Sequence, residues 1–373
     1  MKRATLFIIG LLTLPSCATT MIGDQEREYK VKPGQKLEIS LETGGSVDIQ
    51  GWDRKALTVD VDIWSKNSED YKVDVHKTAR GIAITSSYHG GGRDRSGDLH
   101  LRIQVPFKFD LDIESMGGSL RVDDVEGAIE GKTMGGDLNL SGLKGEIDLE
   151  TMGGDISLKN SHLDGRVHTM GGDVEIEGFS GSAKVTTMGG DVVYDNNGDE
   201  SHNQAIRIST MGGDIDLVAA PGGGTVKTMG GDIHIESAKD YINARTMGGD
   251  IEIDAIDGAV KATTMGGDVT IRMVGDPNIG ERNVDIVSKG GDITLLVPGE
   301  LSMDIDITLA YTRGSRGDYQ IISDFDLTME ESEDWVSRFG SARKYIRGTG
   351  KTGDGKHSIQ IETVNGNVVL KKN

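Results

Sequence analysis

The chain is poor in most of what builds a compact globular core. It has one cysteine, six prolines and 5% aromatic residues in 373. A lone cysteine excludes an intramolecular disulfide. So few rings argue against a thick core of bulky side chains. Basic charge is short as well. The formal net charge of −20 argues against nucleic-acid binding, which needs a basic footprint. No Gly-x-Ser-x-Gly elbow and no phosphate-binding loop occurs. The eight histidines (His76, His89, His100, His162, His168, His202, His234 and His357) show no metal-ligand spacing. Catalysis thus has little support, and a non-enzymatic protein is expected.

The apolar run from Ala4 to Leu14 follows Lys2 and Arg3. It is too short to span a bilayer and reads as a signal peptide. It ends in Leu14-Pro15-Ser16-Cys17, which resembles a bacterial lipobox. The resemblance implies that Cys17 becomes the lipid-modified first residue of the mature protein. Ala18 after it implies sorting to the outer membrane. A signal peptide over 1–16 and a polar tether over 17–27 are therefore expected. The location implied is the cell envelope, on its periplasmic or surface face.

Glycine is abundant, with 54 copies, and apolar residues alternate regularly between them. Repeated tight turns explain this better than disorder does. The string Met-Gly-Gly-Asp or a near copy recurs at Met116, Met134, Met152, Met170, Met188, Met211, Met229, Met247 and Met265. Seven of the eight intervals are 18 residues and one is 23. A degenerate tenth copy, Lys289-Gly290-Gly291-Asp292, follows after 24. So regular a short period predicts a stacked solenoid.

With methionine as position zero, positions −5 and −3 are small or apolar in every copy, as in Ile147 and Leu149 or Ile206 and Ile208. Position −1 is threonine from Thr133 to Thr264. Positions +4 and +6 are apolar again, as in Ile156 and Leu158 or Ile233 and Ile235. Leu143, Phe179, Ile256 and Leu163 supply a third inward point. Each coil is then strand, glycine corner, strand, looser corner. The paired glycines are expected where a tight corner needs unusual backbone angles and stacked backbones come close.

The fold class expected is all-β: a single-stranded parallel β-solenoid of 18 residues per coil, capped at both ends. At about 4.8 Å per coil its regular part extends roughly 45 Å. The inward rows do not recur every six residues, as a left-handed hexapeptide helix requires, so a right-handed course is expected. Residues 28–115 are read as N-terminal coils and cap, 116–299 as the regular repeat, and 300–373 as C-terminal coils and cap. Thr43-Gly44-Gly45-Ser46 reads as an earlier, degenerate corner. Thr328 to Phe339 is expected to form a short helix. Thr328 and Glu331 make a capping box, Trp335 and Phe339 share a face, and Gly340 stops it. Two longer stretches, Asp195 to Gln204 and Val274 to Arg282, are expected as loops leaving the stack, on a face where something binds or as neutral insertions.

The chain resembles a bacterial family of adhesin-like proteins with β-strand repeats, classed as a domain of unknown function. The matching stretches are Lys32-Pro33-Gly34, then Gly44 through Asp53, the central Thr-x-Gly-Gly-Asp-Ile copies, and Ile361 through Val368. They cover most of the mature chain. The resemblance implies a β-solenoid and transfers no catalytic residue. The chain departs from it in placing methionine at nearly every corner.

Three rows carry candidate chemistry. The first is Asp137, Asp155, Asp173, Asp191, Asp214, Asp232, Asp250, Asp268 and Asp292. Stacked carboxylates repel unless solvated, hydrogen-bonded or bridged by a cation, and calcium suits such oxygen ligands. Calcium-binding β-rolls of the repeats-in-toxin type also use 18 residues per coil, but they need Gly-Gly-x-Gly-x-Asp twice per coil, which is absent here. The plainer reading is a turn aspartate accepting a backbone N–H.

The second row is the methionines. Parity turns them outward or to the edge, as a packed ridge, a contact surface, or a thioether strip for a soft metal such as Cu(I). The third is a basic stripe on the first strand: Arg166, Lys184, Arg207, Lys227, Arg245 and Lys261. Acids dominate the second strand, at Glu175, Glu177, Asp195, Asp216, Glu236, Glu252 and Asp254. Lying on different faces, the two sets are expected not to pair within one molecule.

The expected function is a lipid-anchored, non-catalytic scaffold of the cell envelope, without a cofactor. Its stripe would meet an envelope polysaccharide, another envelope protein or a second copy. The alternatives are a calcium-dependent structural module on the aspartate corners and a carbohydrate-active enzyme.

Overall fold

The computed structural model describes residues 19–21, 25–64, 70–90, 98–196, 204–315, 318–336 and 341–373. The signal-peptide expectation, Cys17 and most of the loop from Asp195 lie outside the described residues. The expected polar tether over 17–27 is corrected where it is described: Thr19–Met21 pairs antiparallel with Tyr71–Lys77 and Gln25–Lys30 with Ala56–Trp64, because neighbouring strands offer the backbone ready partners. Within them the protein is all-β. The strands join into one continuous hydrogen-bonded sheet, and no α-helix occurs among the described residues.

The repeat dictates this pairing. Glu126–Thr133 pairs in parallel with Lys144–Thr151, which pairs with His162–Thr169, each residue opposite the one 18 further on. These strands form a first ladder. Leu138–Ser141, Ile156–Lys159 and Val174–Glu177 pair with the same offset and form a second. Each glycine corner carries the chain from the first ladder to the second. Alternation then sets the core. Ile147, Leu149, Ile156 and Leu158 point in and are at most 4% exposed. The third inward points, Leu143, Leu163, Phe179 and Ile256, are buried too. Farther along, Ile233–Arg245 and Ile251–Thr264 each run through both ladders without a break.

The looser corner is where the backbone takes left-handed angles. Gly142 has φ +67° and the equivalent Asn160 has +48°. The earliest glycine corners do so too, at Gly44 (+71°), Gly45 (+144°) and Gly118 (+93°), but the corners from Met134 onward do not. Gly135, Gly136, Gly153 and Gly154 are absent from the residues with positive φ. Conformational freedom therefore explains glycine at the earliest corners, and from Met134 onward the expectation is corrected to close approach at the second glycine.

Both ends close in the same way. Lys36–Leu41 and Ser46–Trp52 form the first coil, pairing with Asp110–Ser115 and Leu120–Asp123. Their outer edges take Gly81–Tyr88 and Asp98–Pro106 in parallel. Antiparallel partners, Tyr71–Lys77 and Ala56–Trp64, pair with these, and Thr19–Met21 and Gln25–Lys30 pair antiparallel with them in turn. At the far end, His357–Val364 and Val368–Lys372 return to stack on Val284–Ser288 and Ile293–Val297. Met303–Thr312 lies on that last coil, and the antiparallel strands Arg343–Lys351 and Thr328–Glu331 cover it. Antiparallel closure blunts the parallel edges that would otherwise recruit other chains.

The expected helix at Thr328 to Phe339 is corrected over its described part, up to 336; Phe339 and Gly340 lie outside the described residues. Thr328–Glu331 is a strand, with Glu330 opposite Arg347. The capping pattern loses because the neighbouring strand offers the backbone a ready partner. Trp335 packs edge-on to Tyr311, centroids 5.8 Å apart, with Arg313 over its ring.

The stretch from Val274 to Arg282 is tied down. The Arg282 side chain is 1% exposed and donates to the carbonyls of Val274 (2.8 Å) and Asp276 (2.8 Å) and to the Asp257 carboxylate (2.5 Å). A self-satisfied loop of this kind explains the 24-residue interval as structure.

Candidate functional site

The glycine corner is a set of files, one residue type each, and its internal files are fully bonded. The threonine file points inward and is at most 5% exposed. Each hydroxyl donates to the second glycine's carbonyl of the preceding coil. Thr228 reaches Gly213 O at 2.8 Å and Thr246 reaches Gly231 O at 2.9 Å. Each hydroxyl also accepts the N–H of its own second glycine, as Gly231 N to Thr228 Oγ1 at 3.2 Å. Serine does the same at Ser288, and the final coil repeats it from Thr363 to Gly291 O at 2.7 Å.

The second glycine is demanded by space. A Cβ on Gly231 would sit 2.1 Å from Gly213 O, and one on Gly249 the same distance from Gly231 O. The first glycine has room: a Cβ on Gly135 or Gly153 meets nothing within 4 Å.

The aspartate file is also a ladder. Each Oδ1 accepts the backbone N–H of the next coil's aspartate. Asp173 N to Asp155 Oδ1 is 2.8 Å, Asp232 N to Asp214 Oδ1 is 2.8 Å and Asp292 N to Asp268 Oδ1 is 2.7 Å. Asn367 N continues it to Asp292 Oδ1. All nine aspartates are exposed, so water screens their second oxygens. A hydrogen bond therefore accounts for the recurrence of Asp without a bridging ion. Among the described residues no three His, Cys, Asp or Glu side chains gather as a metal site.

The methionine file faces outward, as parity implied. From Met116 to Met265 the nine side chains are 40 to 59% exposed. The file continues past both ends with other residues. Leu41 pairs with Ser115, which sets Glu42 beside Met116, and Thr264 pairs with Ser288, which sets Lys289 beside Met265.

On the outer face of the first ladder, beside this ridge, lies the basic stripe. It is two files. Arg166, Lys184 and Arg207 occupy successive coils at one position, and Lys261 lies farther along the same file. Lys227 and Arg245 pair two residues closer to the methionines. No ion pair among the described residues joins the stripe to the second-strand acids, but two stripe cations find other acids on their own face. Arg166 makes a two-pronged bond to Asp148, 3.0 and 2.6 Å, and Lys261 pairs with Asp285. Those acids stand one coil away on the same face, where a count within single coils misses them. Lys184, Arg207, Lys227 and Arg245 are exposed and have no ion-pair partner among the described residues. They span four consecutive coils in the middle of the stack.

The outer face of the second ladder is acidic and partly self-paired. Lys159 bridges Glu175 and Glu177, both at 3.2 Å. His234 lies 3.5 Å from Asp216 and 3.2 Å from Asp254. Burial pulls its imidazole down, but the Asp254 hydrogen bond and the charges of Asp254, Glu252 and Asp216 outweigh this and raise its pKa.

A family model described as Toastrack DUF4097 matches residues 35–237. No curated protein matches the chain. Among solved structures it is similar to a candidate adhesin from Parabacteroides distasonis, at 17% identity and a TM-score of 0.36, covering 70% of this chain and 96% of that one. It is similar to one from Bacteroides fragilis at 17% identity and TM-score 0.30, covering 73% and 95%. A third, from Parabacteroides merdae, stands at 13% identity and TM-score 0.30, covering 71% and 96%.

Proposed function

The chain belongs to the Toastrack DUF4097 family, a domain of unknown function, and from that premise we propose a non-catalytic, adhesin-like scaffold of the cell envelope. In this reading Cys17 carries a lipid anchor to the outer membrane, and the solenoid follows a right-handed course. The mid-stack cations Lys184, Arg207, Lys227 and Arg245 hold an anionic envelope polysaccharide.

One observation carries the reading. In a chain of net charge −20, four exposed cations stand together on one face without carboxylate partners among the described residues, while their neighbours Arg166 and Lys261 are paired. Unpaired like charges in successive coils cost a little stability, and an arriving polyanion offsets that cost. The acidic second ladder turns such a ligand away, so the binding face is selected by charge.

The test is retention of acidic envelope polysaccharide at low and high salt, by the protein and by its Lys184→Glu/Arg207→Glu/Lys227→Glu variant. The reading expects salt-sensitive binding that the variant abolishes. Binding that survives the three reversals refutes it.

A further inference from the structure

The methionines are the corner side chains that the fold does not explain. Threonine is needed for its two hydrogen bonds, the second glycine for space, and aspartate for the next coil's N–H. Position zero points into solvent, and Glu42 and Lys289 fill the same file without disturbing the stack. Nine thioethers nevertheless recur there, about 4.8 Å apart from coil to coil. Side chains of this length and flexibility, so spaced, reach a common ion from adjacent coils. Thioether sulfur selects soft monovalent cations over calcium, magnesium or zinc.

The ridge is not electrically uniform, and this decides where an ion would sit. Met188, Met211, Met229 and Met247 run beside the four unpaired cations, which repel a cation. At the other end, Met116, Met134 and Met152 line a cleft of about 410 Å³ together with Glu42, Glu114 and Glu150. Its one cation, Lys132, lies 3.9 Å from Glu150. Glu42 stands next in file to Met116, so a carboxylate closes the row of sulfurs.

We infer that Met116, Met134 and Met152, closed by Glu42, form a site for a soft monovalent cation, copper(I) or silver(I). The thioethers are neutral and supply the selectivity. Glu42 and Glu114 supply charge at the rim. This site is independent of the anionic-polymer reading, which uses other residues and other coils.

The experiment is an anaerobic competition for copper(I) between the full-length chain and a coloured copper(I) chelator. A Cys17→Ser background removes the only thiol. The expected result is one ion withheld per chain. Met116→Leu/Met134→Leu/Met152→Leu, which keeps side-chain bulk, is expected to lose about tenfold or more in affinity, and Glu42→Gln several-fold. Met211→Leu/Met229→Leu/Met247→Leu is expected to bind as the parent does, which separates a local site from general thioether affinity. Unchanged binding by the first triple variant, an equal loss in the second, or no ion withheld by the parent would each overturn the site.

Discussion

Substituting the two glycines of one corner separately tests what holds the coils together. The pair Gly230 and Gly231 sits mid-stack. An alanine Cβ at Gly231 would lie 2.1 Å from Gly213 O, 2.4 Å from Asp214 Oδ1 and 2.5 Å from Gly213 C. These are backbone atoms and a bonded carboxylate, so no rotamer change relieves the contact. The coils must part locally, which strains the Thr228 and Asp232 bonds to the preceding coil. Overpacking costs about 1–3 kcal/mol and each weakened bond about 1, so Gly231→Ala is expected to cost about 3–5 kcal/mol. At Gly230 the nearest atom to the new Cβ is 3.4 Å away, an ordinary contact. Gly230→Ala should be neutral, or stabilising by about 0.5 kcal/mol through the unfolded chain. Urea unfolding followed by circular dichroism reads both, with limited proteolysis to detect a stack that opens at one coil. Equal effects at the two positions, or a silent Gly231→Ala, would refute close approach as the reason for the second glycine.

Three further outcomes are expected. Thr228→Val leaves the buried Gly213 carbonyl and Gly231 N–H without their hydroxyl and should cost about 1–3 kcal/mol, while Thr228→Ser recovers most of it; urea midpoints of the two variants check this. His234 has a raised folded pKa, so its stabilising effect is complete below the unfolded value and fades as pH rises through the folded one. His234→Gln should therefore lose stability at pH 5 and little at pH 8.5, measured by thermal melts. Because each corner aspartate already accepts a backbone N–H, the melting temperature should be the same in calcium and in chelator, and a rise of several degrees with calcium would favour the calcium-dependent alternative.

The stack was legible from the chain because its period and its alternation agree. Ile147, Leu149, Ile156 and Leu158 pointed inward by simple count, and the same parity turned the methionines out. Thr43 to Ser46 could be recognised as a corner from its glycines, and Gly45 N does bond to Gly117 O at 2.7 Å. What escaped were relations between distant segments. Nothing in the spacing joins Asp292 to Asn367, because Met303–Lys351 is interposed between two coils that touch. The strand at Thr328–Glu331 carried a helix signature and was decided by its neighbour. Ion pairs of Arg166 and Lys261 were missed because each partner stands in the adjacent coil. Glu42 beside Met116 was hidden too, since one extra residue separates Leu41 from the glycines there.

A disulfide measures the coil-on-coil register directly. In a Cys17→Ser background, Met211→Cys/Met229→Cys places two thiols one coil apart, about 4.8 Å between backbones, within the span a disulfide bridges. Met211→Cys/Met247→Cys places them two coils apart, about 9.6 Å, beyond that span. Mild oxidation followed by mass spectrometry should find an intramolecular bridge in the first variant and none in the second. A bridge in the second variant, or in neither, would contradict the stacking from which every file described above is drawn.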